Sequence, residues 1–464
     1  MRKTKIVCTI GPATDSAEVL GELIRAGMNV ARLNFSFGDR DYYGKLIKMI
    51  RESSNKLQKH VAILQDLAGS KVRVGKLEKP VILHRGEKVV LGEGGIPVSH
   101  PDFFEGLSIG DEIYLADGAI KLKVTKVRRG RIVAEVLEGG ILSSHKGINV
   151  PNKSSELSSL TEKDLKDLEF GLRKGIDWVA LSFVKSEKDV LVARDVVRDE
   201  VPIIAKIEKR EAVKNLKRII EVSDGVMIAR GDLGVEVPVE DIPILQKRII
   251  RTCNELGKLS ITATQMLKSM IVQPYPTRAE VTDVANAVLD GSDALMLSEE
   301  TAVGNYPVES VKVMGRIIER IESMYPYLRD YPPRNVSESI AYSAAKMSMD
   351  VGAEAIITFT RTGSTAIQVS RYRPSVPIFA VTHDERTLRK LSLLWGCNPL
   401  MYVSKDEAPE RVISYVLEEG VKRGILSKES IAVVTSGYPF GKPGTTNTVR
   451  VLKVGEVLFS EKEN

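Results

Sequence analysis

Eight short apolar segments recur through the first two thirds of the chain, and a helical pattern follows each of them. This alternation is typical of βα units with parallel strands. Eight such units in roughly 250 residues, with one insertion set aside, match the size of a (β/α)8 barrel. We therefore predict an α/β fold with a TIM-type barrel. The predicted strands are KIVCTI (5–10), NVARLN (29–34), VAILQD (61–66), DWVALSF (177–183), PIIAKIE (202–208), GVMIAR (225–230), LSITAT (259–264) and DALMLS (293–298).

The insertion between the third and fourth strands has a different pattern, in which apolar and polar residues alternate, as in EIYLADGAIKLKVTKV. The Asp117-Gly118 dipeptide in this stretch suits a tight hairpin turn. We predict a small all-β domain on a loop at the C-terminal mouth of the barrel, hinged near Gly69 and Pro151. A domain at that position can close over a ligand as a lid.

The segment 325–334 is rich in Pro and Tyr and is typical of a linker. Beyond it, the strand-like segments AIITFT, VPIFAVT and IAVVTS alternate with helical patterns and predict a smaller open α/β domain. The predicted organisation is barrel (1–68), inserted β-barrel lid domain (69–152), barrel again (153–332) and C-terminal α/β regulatory domain (333–464).

Charge and composition exclude several classes of protein. The net charge is +6, and basic and acidic residues are interleaved, so we expect no nucleic-acid partner. This mild positive balance suits anionic substrates and equally suits an ordinary solvated surface. The first apolar run breaks at Gly11-Pro12 and is too short for a signal peptide or a membrane span, so we expect a cytoplasmic protein without a membrane partner.

Polar residues follow nearly all the predicted barrel strands, at the end where barrel active sites are built. In IIAKIE, period-two alternation places Lys206 and Glu208 on one strand face, directed into the barrel mouth. A buried structural ion pair between these two residues is the alternative.

A second carboxylate follows the next strand, where Arg230 and Asp232 lie beside a Gly-rich turn. Glu208 and Asp232 can share a cation, and two carboxylates completed by substrate and water oxygens suit Mg²⁺ or Mn²⁺. The alternative is that Asp232 caps the turn.

Arg32 shares a strand face with Asn34 and Ser36, and its guanidinium suits bidentate recognition of phosphate. A salt bridge to Asp66 at the end of the third strand is an alternative that is compatible with this role. Thr264 ends the seventh strand, where a helix cap is the alternative to a catalytic role. Glu300 lies just beyond the eighth strand.

Together these residues resemble one family, pyruvate kinase. The matching segments, in the family's order, are KTKIVCTIGPA, NVARLNFS, IAKIE, ARGDLGVEVP, ATQML and PTRAEVTDVANAVLDGSDALMLSEETA. The similarity runs from Lys3 to about Tyr306 and continues more weakly through the C-terminal domain. It implies a homotetrameric enzyme of the last step of glycolysis that transfers the phosphoryl group of phosphoenolpyruvate to ADP with a divalent metal, Mg²⁺ or Mn²⁺.

The resemblance also implies roles for individual residues. Lys206 matches the lysine that contacts the phosphoryl group, Arg32 the arginine that holds it, and Thr264 the threonine near the methylene carbon of phosphoenolpyruvate. The lid segment KGINVP resembles the family's KGVNLP. The residues implied for phosphoenolpyruvate are Arg32, Lys206, Gly231, Asp232 and Thr264, those for the nucleotide are Arg32, Asn34, Lys146 and Asp117, and those for the divalent metal are Glu208 and Asp232.

Many members of the family also require potassium. The potassium positions correspond here to Asn34, Ser36, Asp66 and Leu67, but the family's DTKGPEIR reads DLAGSKVR in this chain. Lys71 therefore replaces a glutamate, and Leu67 replaces a threonine. We expect the Lys71 ammonium to supply the missing positive charge, so that potassium is not required. The alternative is that Lys71 points into solvent at the lid hinge.

Two further departures from the family pattern concern the mouth. Phe37 replaces a histidine, which removes a nucleotide contact through imidazole, and Glu299 replaces a glycine, which adds a negative charge.

The C-terminal domain carries TFTRTGSTA, a strand followed by a hydroxyl-rich turn that opens a helix. Backbone N–H groups there suit a phosphate, and ordinary helix capping is the alternative. In the family this loop receives phosphorylated effectors, and GKPGTTNTVRV resembles its effector-loop region. The implied effector-phosphate residues are Thr360, Thr362, Gly363, Ser364 and Thr365.

Two rival functions remain. A metal-dependent lyase or aldolase acting on pyruvate through an enolate needs no nucleotide, so a lid with Lys146 and Asp117 would have no purpose. A catalytically inactive regulator that binds phosphorylated metabolites is disfavoured because Lys206, Glu208, Asp232 and Arg32 are intact.

Overall fold

The structure is a computed structural model that describes residues 1–151, 159–402, 409–438 and 445–460. Its strands, in chain order, are β1 (Lys5–Ile10), β2 (Val30–Asn34), β3 (Ala62–Asp66), β4 (Val81–Leu83), β5 (Lys88–Gly92), β6 (Glu112–Leu115), β7 (Ile120–Arg128), β8 (Arg131–Glu138), β9 (Gly140–Leu142), β10 (Ile148–Asn149), β11 (Trp178–Leu181), β12 (Ile203–Ile207), β13 (Gly225–Ala229), β14 (Leu259–Ala263), β15 (Ala294–Leu297), β16 (Ala355–Phe359), β17 (Ile378–Thr382), β18 (Cys397–Tyr402), β19 (Ile431–Gly437) and β20 (Thr446–Lys453).

The α-helices surround the barrel and flank the C-terminal sheet. They are α1 (Ala17–Ala26), α2 (Arg40–Lys56), α3 (Glu162–Lys174), α4 (Glu187–Val197), α5 (Arg210–Lys214), α6 (Leu216–Val222), α7 (Arg230–Glu236), α8 (Ile242–Leu256), α9 (Arg278–Asp290), α10 (Glu299–Ala302), α11 (Pro307–Glu322), α12 (Val336–Asp350), α13 (Ser364–Arg371), α14 (Glu385–Leu391), α15 (Pro409–Lys422) and α16 (Val454–Ser460).

Eight parallel strands close into a barrel in the order β1, β2, β3, β11, β12, β13, β14, β15 and back to β1. Each of the eight predicted segments supplies one of these strands, so the predicted barrel is confirmed. The register sets Asp66 beside Asn34 on one neighbouring strand and beside Ala180 on the other. The carboxyl ends of the strands therefore bring polar side chains from distant parts of the sequence to one mouth.

Barrel strands are buried on both faces, as expected for parallel strands covered by helices. Val7 and Ile204 belong to the core inside the barrel, whereas Ile6 and Ile203 pack in the layer beneath the helices. Residues of the C-terminal domain, including Leu394 and Cys397, join the inner core and close the floor of the barrel.

The insertion forms its own all-β unit with a separate apolar core. A five-stranded sheet has the order β10, β6, β7, β8, β5, and β4 pairs with β9. The predicted hairpin joins β6 to β7, but its loop contains four residues rather than a tight two-residue turn, because Leu115 pairs with Ile120. Asp117 and Gly118 both have positive φ, at 57° and 89°, in this loop. The predicted end of the lid, residue 152, lies outside the described residues.

The C-terminal domain has a five-stranded sheet in the order β18, β17, β16, β19, β20, with β20 antiparallel at one edge. Sequence patterns did not predict β18, which contains Asn398 and Pro399, or β20, whose residues are exposed or half-buried except for Thr446. The segment 325–334 contains no helix or strand, yet it is packed, since the Tyr325 ring lies 5.7 Å from the Trp395 ring. Among the described residues, no helix is both long and apolar enough to cross a membrane.

Candidate active site

The Lys206 ammonium lies at the centre of a polar cluster in the barrel mouth. Its Nζ is 2.8 Å from Glu208 Oε1 and 3.3 Å from Asp66 Oδ1. It also donates a hydrogen bond of 2.8 Å to Ser182 Oγ. Lys206 and Glu208 thus lie together, as the strand periodicity predicts, and the ion pair named as the alternative is also present.

Arg32 joins the same cluster through Asp66. Its Nε donates to Asp66 Oδ2 at 2.7 Å, and its Nη1 donates to Thr9 Oγ1 at 2.9 Å. The salt bridge considered from the sequence is therefore present. Nη2 makes no hydrogen bond to the described part of the chain, so a donor remains for a phosphate oxygen.

The charges in the cluster stabilise each other. Burial alone would raise the pKa of Asp66, but the Lys206 ammonium and the Arg32 guanidinium outweigh burial and lower it. Burial alone would lower the pKa of Lys206, but Asp66 and Glu208 outweigh it and raise that pKa above its usual value. Lys206 is therefore cationic and Asp66 anionic at neutral pH.

Asp232, the second carboxylate of the predicted metal site, forms an ion pair with Lys71, which lies close to the predicted lid hinge at Gly69. Lys71 Nζ lies 2.5 Å from Asp232 Oδ1, and the Lys71 side chain is only 13% exposed. Burial acts to raise the pKa of Asp232, but Lys71 and then Lys206 outweigh it and lower this pKa. Lys71 thus points inward to Asp232 and not into solvent.

Glu208 and Asp232 fit a divalent cation. Burial, assisted by the charge of Asp232, raises the pKa of Glu208 against the opposing effect of Lys206. Glu208 Oε2 accepts from the Phe183 N–H at 2.7 Å, whereas the buried Oε1 accepts no hydrogen bond of good geometry despite its 2.8 Å approach to Lys206 Nζ. Two carboxylates with an unsatisfied oxygen match the one or two protein carboxylates typical of a Mg²⁺ site that substrate and water complete.

The segment after β13 is a short helix and not the Gly-rich turn that the sequence predicts. Arg230 and Asp232 lie in the short helix α7, not in a turn. The Arg230 guanidinium contacts Asp283 Oδ1 at 2.7 Å and the Thr264 carbonyl at 2.8 Å, so it supports the helix.

Thr264 contacts the same helix. Its Oγ1 accepts from the Gly231 N–H at 2.9 Å, which is the capping interaction weighed against a catalytic role. Thr264 has a φ of 69°, an uncommon value for a non-glycine residue. A Cβ added at Gly231 would lie 3.7 Å from Thr264 Oγ1, in ordinary van der Waals contact, so the Thr264 side chain packs directly against the start of α7.

The remaining potassium positions lie next to this cluster: Asn34 is the last residue of β2, and Ser36 and Leu67 lie in the loops that follow β2 and β3. Asn34 Oδ1 accepts from the Ser36 N–H at 3.2 Å. The Leu67 carbonyl accepts from Ser182 Oγ at 2.8 Å, so that oxygen already has a partner.

The two lid residues implied for the nucleotide lie on adjacent lid loops, since the Ala116 N–H donates to the Gly147 carbonyl at 3.2 Å. Asp117 and Lys146 are both exposed. Within the described residues, no hydrogen bond or ion pair joins either side chain to the polar cluster of the mouth.

The two residues that depart from the family pattern, Phe37 and Glu299, are exposed, whereas Glu300 is buried. Phe37 is 60% exposed, and its ring centroid lies 6.0 Å from Arg73 Cζ. Glu299 is exposed in the first turn of α10. Glu300 is buried and accepts from the backbone N–H groups of Leu267 and Ser298, so it has a structural role.

The hydroxyl-rich turn of the C-terminal domain leads into α13. The Gly363 N–H donates to Thr360 Oγ1 at 2.9 Å, and the Thr365 and Thr446 hydroxyls lie 2.7 Å apart. Thr362 is exposed and Ser364 is partly exposed. The effector-loop segment GKPG (441–444) lies outside the described residues.

Sequence reasoning missed two residues of the mouth, Thr9 and Ser182. Each binds one of the predicted cations, Thr9 holding Arg32 and Ser182 holding Lys206. Their positions in the sequence could have indicated them. Thr9 is near the end of KIVCTI and Ser182 near the end of DWVALSF, and the ends of the other predicted strands carry the polar residues predicted for the site.

Comparison with known proteins agrees with this geometry. The family model described as "Pyruvate kinase, barrel domain" matches residues 1–311, and "Pyruvate kinase, alpha/beta domain" matches 338–452. The chain is 44% identical to the pyruvate kinase of Geobacillus stearothermophilus, with 98% of this chain and 81% of the relative covered. It is 42% identical to one from Agrobacterium vitis, over 98% of this chain and 97% of that protein.

A solved structure is also similar. The crystal structure of a pyruvate kinase from Cryptosporidium parvum matches with a TM-score of 0.90 and 36% identity, covering 98% of this chain and 96% of that one. The chain therefore belongs to the pyruvate kinase family, the phosphotransferases that move the phosphoryl group of phosphoenolpyruvate to ADP in glycolysis.

Proposed function

We propose that Arg32 and Lys206 bind the phosphoryl group of phosphoenolpyruvate during its transfer to ADP. The observation that carries this proposal is the convergence of both cations on Asp66, with distances of 2.7 Å and 3.3 Å. Phosphoryl transfer requires fixed positive charge around the moving group and little covalent help. Asp66 orients the two cations, and Ser182 and Thr9 restrict them further.

Glu208 and Asp232 hold the divalent metal, Mg²⁺ or Mn²⁺, in this proposal. When bound, the ion supplies Lewis-acid stabilisation of negative charge on the substrate oxygen. Lys71 then releases Asp232 Oδ1, at least in part, because both cations require the same carboxylate.

Thr264 and Gly231 form the side of the mouth at which the methylene carbon is protonated. The Thr264 hydroxyl is held by the Gly231 N–H at 2.9 Å, so its position is fixed relative to α7. We assign Thr264 the task of holding the incoming proton near that carbon, and we assign Gly231 and Asp232 to substrate binding.

The nucleotide binds between the mouth and the lid in this proposal. Arg32 and Asn34 contact it from the barrel, and Lys146 and Asp117 reach it when the lid closes. The exposure of the two lid residues leaves both side chains available.

The enzyme works without potassium in this proposal, because Lys71 brings a positive charge to the mouth. Its ammonium is largely buried and contacts Asp232. The positions that correspond to the potassium ligands, Asn34, Ser36, Asp66 and Leu67, are already engaged by protein groups or lie beside them.

A homotetramer with an effector site completes the proposal. Exposed apolar side chains on the barrel, such as Val239, Ile244 and Tyr275, support association between copies.

The turn Thr360–Thr365 binds the phosphate of an effector in this proposal, supported by the exposed hydroxyl of Thr362 and the partly exposed Ser364.

The test is a coupled assay of pyruvate formed from phosphoenolpyruvate and ADP, with and without Mg²⁺. We expect turnover that requires the divalent metal. Absence of pyruvate in the presence of Mg²⁺ and Mn²⁺ would contradict the assignment of these residues.

A further inference from the structure

Glu236, the last residue of α7, joins three segments of the protein beside the barrel mouth. Its Oε1 pairs with Lys209 Nζ at 2.6 Å and accepts from Asn149 Nδ2 of the lid at 3.2 Å. Glu236 and Asn149 are both buried. A negative charge at the C-terminal end of a helix is unfavourable, so the stability of α7 does not by itself account for a carboxylate at this position.

The two barrel segments that meet at Glu236 are those that carry the carboxylates of the metal site. Asp232 lies one turn before Glu236 on α7, and Glu208 immediately precedes Lys209. The ion pair between Lys209 and Glu236 therefore connects the end of β12 with α7 and restrains the two segments relative to each other. Because Asn149 bonds to the same carboxylate oxygen, it attaches the lid to this frame.

Asn149 belongs to the strand pair that leads to both lid residues assigned to the nucleotide. It is the last residue of β10 and pairs with Tyr114 of β6. Lys146 lies two residues before β10, and Asp117 lies two residues after β6. A contact at Asn149 therefore restrains the loops on which both nucleotide residues lie.

The ion pair between Lys71 and Asp232 also joins the lid to α7. In the proposed function this pair is released, at least in part, when the divalent metal takes the Asp232 carboxylate. Glu236 lies one turn further along α7 and has no assigned role in metal binding. Its bond to Asn149 can therefore persist when the active site is loaded.

We propose that Glu236 is a positioning residue for ADP binding. By accepting from Asn149, it orients the lid relative to the metal site and so directs the two nucleotide residues of the lid toward ADP. This inference rests on the proposed nucleotide role of Lys146 and Asp117. Phosphoenolpyruvate binds within the barrel in that function, so loss of the contact should change KM for ADP and leave KM for phosphoenolpyruvate unchanged.

Asn149→Ala tests the contact while leaving the pair between Lys209 and Glu236 in place. KM for ADP should rise about ten- to a hundredfold, as expected for loss of a hydrogen bond to a charged group. Asn149→Asp should have at least the same effect, because it sets a second carboxylate against Glu236. Asn55→Asp makes the same substitution at an exposed position of α2 and should leave both KM values unchanged.

The double variant Asn149→Asp/Glu236→Gln exchanges the donor and the acceptor of the contact. It should return KM for ADP toward the value of the unmodified enzyme, because the new amide can donate to the new carboxylate. A residue that served only the stability of α7 would give no such recovery. Circular dichroism of every variant verifies folding.

The orientation of the lid provides a readout that does not depend on turnover. Spin labels can be attached selectively to Lys126→Cys on the lid and Lys214→Cys on the barrel, since both positions are exposed and the native cysteines are buried. The distribution of distances between the labels should broaden in Asn149→Asp and narrow again in the double variant.

Unchanged KM for ADP and unchanged label distances in both Asn149 variants would overturn the proposal, as would a folded double variant without recovery. Lys146→Met separates this inference from the function on which it rests. If Lys146→Met leaves KM for ADP unchanged while the label distances respond to Asn149→Asp, the nucleotide assignment is wrong and the link between Glu236 and the lid stands. If Lys146→Met raises KM for ADP and the Asn149 variants do not, only the positioning role is wrong.

Discussion

At the level of single residues, Asp66 organises the mouth of the barrel. It is 1% exposed and pairs with both Arg32 and Lys206. A buried carboxylate with two cationic partners fixes their positions before substrate arrives, and such preorganisation is a main source of electrostatic catalysis. The positions of Arg32 and Lys206 therefore depend on a residue that the sequence predicted only as a salt-bridge partner and a potassium position.

We expect Lys206→Met to reduce phosphoryl transfer by at least about a hundredfold, the size of effect seen when one preorganised donor is lost. Proton exchange on pyruvate should remain detectable, because the two carboxylates of the metal site do not require the ammonium group. Both activities should be measured in the same preparation, with circular dichroism to verify folding and the exposed Lys214→Met as control. Surviving transfer, or loss of both activities while Mg²⁺ still binds, would show that the role given to Lys206 is wrong.

In our proposal, Lys71 decides how the enzyme responds to potassium. Two unit charges of the same sign about 4 Å apart repel by roughly 4 kcal/mol at an effective dielectric of 20. A potassium ion is therefore unfavourable beside this ammonium, and Lys71→Glu should make turnover potassium-dependent. The measurement is kcat in potassium against tetramethylammonium at equal ionic strength.

Lys71→Gln is the matched control for this variant, because it removes the charge without restoring a carboxylate. It should lose activity in both salts. Strong activation of the unmodified enzyme by potassium would refute the hypothesis.

At the level of elements, the lid is a separate unit with a defined connection. The first and last segments of the lid lie next to each other, since the Ile148 N–H donates to the Val72 carbonyl at 2.9 Å. Its core is distinct from that of the barrel. Besides the Lys71–Asp232 pair, a buried polar contact links the lid to α7, since Glu236 Oε1 accepts from Asn149 at 3.2 Å and pairs with Lys209 at 2.6 Å.

Deletion of residues 72–149 should therefore leave a folded barrel that has lost turnover. The barrel keeps its own core and strand pairing, but the nucleotide side of the mouth loses Asp117 and Lys146. Far-ultraviolet circular dichroism and kcat, measured on the same sample, test this expectation. Near-normal turnover in the deletion variant would exclude the lid from the mechanism.

At the level of the whole molecule, the C-terminal domain closes the barrel floor over a buried lysine. Lys5 is 3% exposed, and its Nζ donates to the Cys397 carbonyl at 2.5 Å. Burial lowers the pKa of Lys5 to about 8 from its usual 10.5, because the charged ammonium is removed from water. Between pH 8 and pH 10.5, Lys5 therefore binds fewer protons in the folded state than in the unfolded state.

The sign of the pH effect follows from this difference. Because the unfolded chain binds the extra proton, stability should rise with pH from about 8 to 10.5 through Lys5. Relative to Lys5→Met, the unmodified protein should gain on the order of 2 kcal/mol across that window. Denaturant midpoints of both proteins at several pH values test this, with the exposed Lys346→Met as control. Parallel pH profiles for the unmodified protein and Lys5→Met would contradict the prediction.

Local sequence patterns were enough to predict the barrel, the all-β insertion and the principal charged residues of the mouth. Strand periodicity is local, so alternation in IIAKIE was enough to place Lys206 and Glu208 together, and chain order was enough to put them at the catalytic end. Only the tertiary structure decided which partners each charge has. Lys71 and Asp232 are 161 positions apart, and their contact requires both the closed barrel and the lid hinge. The contacts of Arg32 with Thr9 and of Lys206 with Ser182 likewise form only when strands that are separate in the sequence meet in the closed barrel.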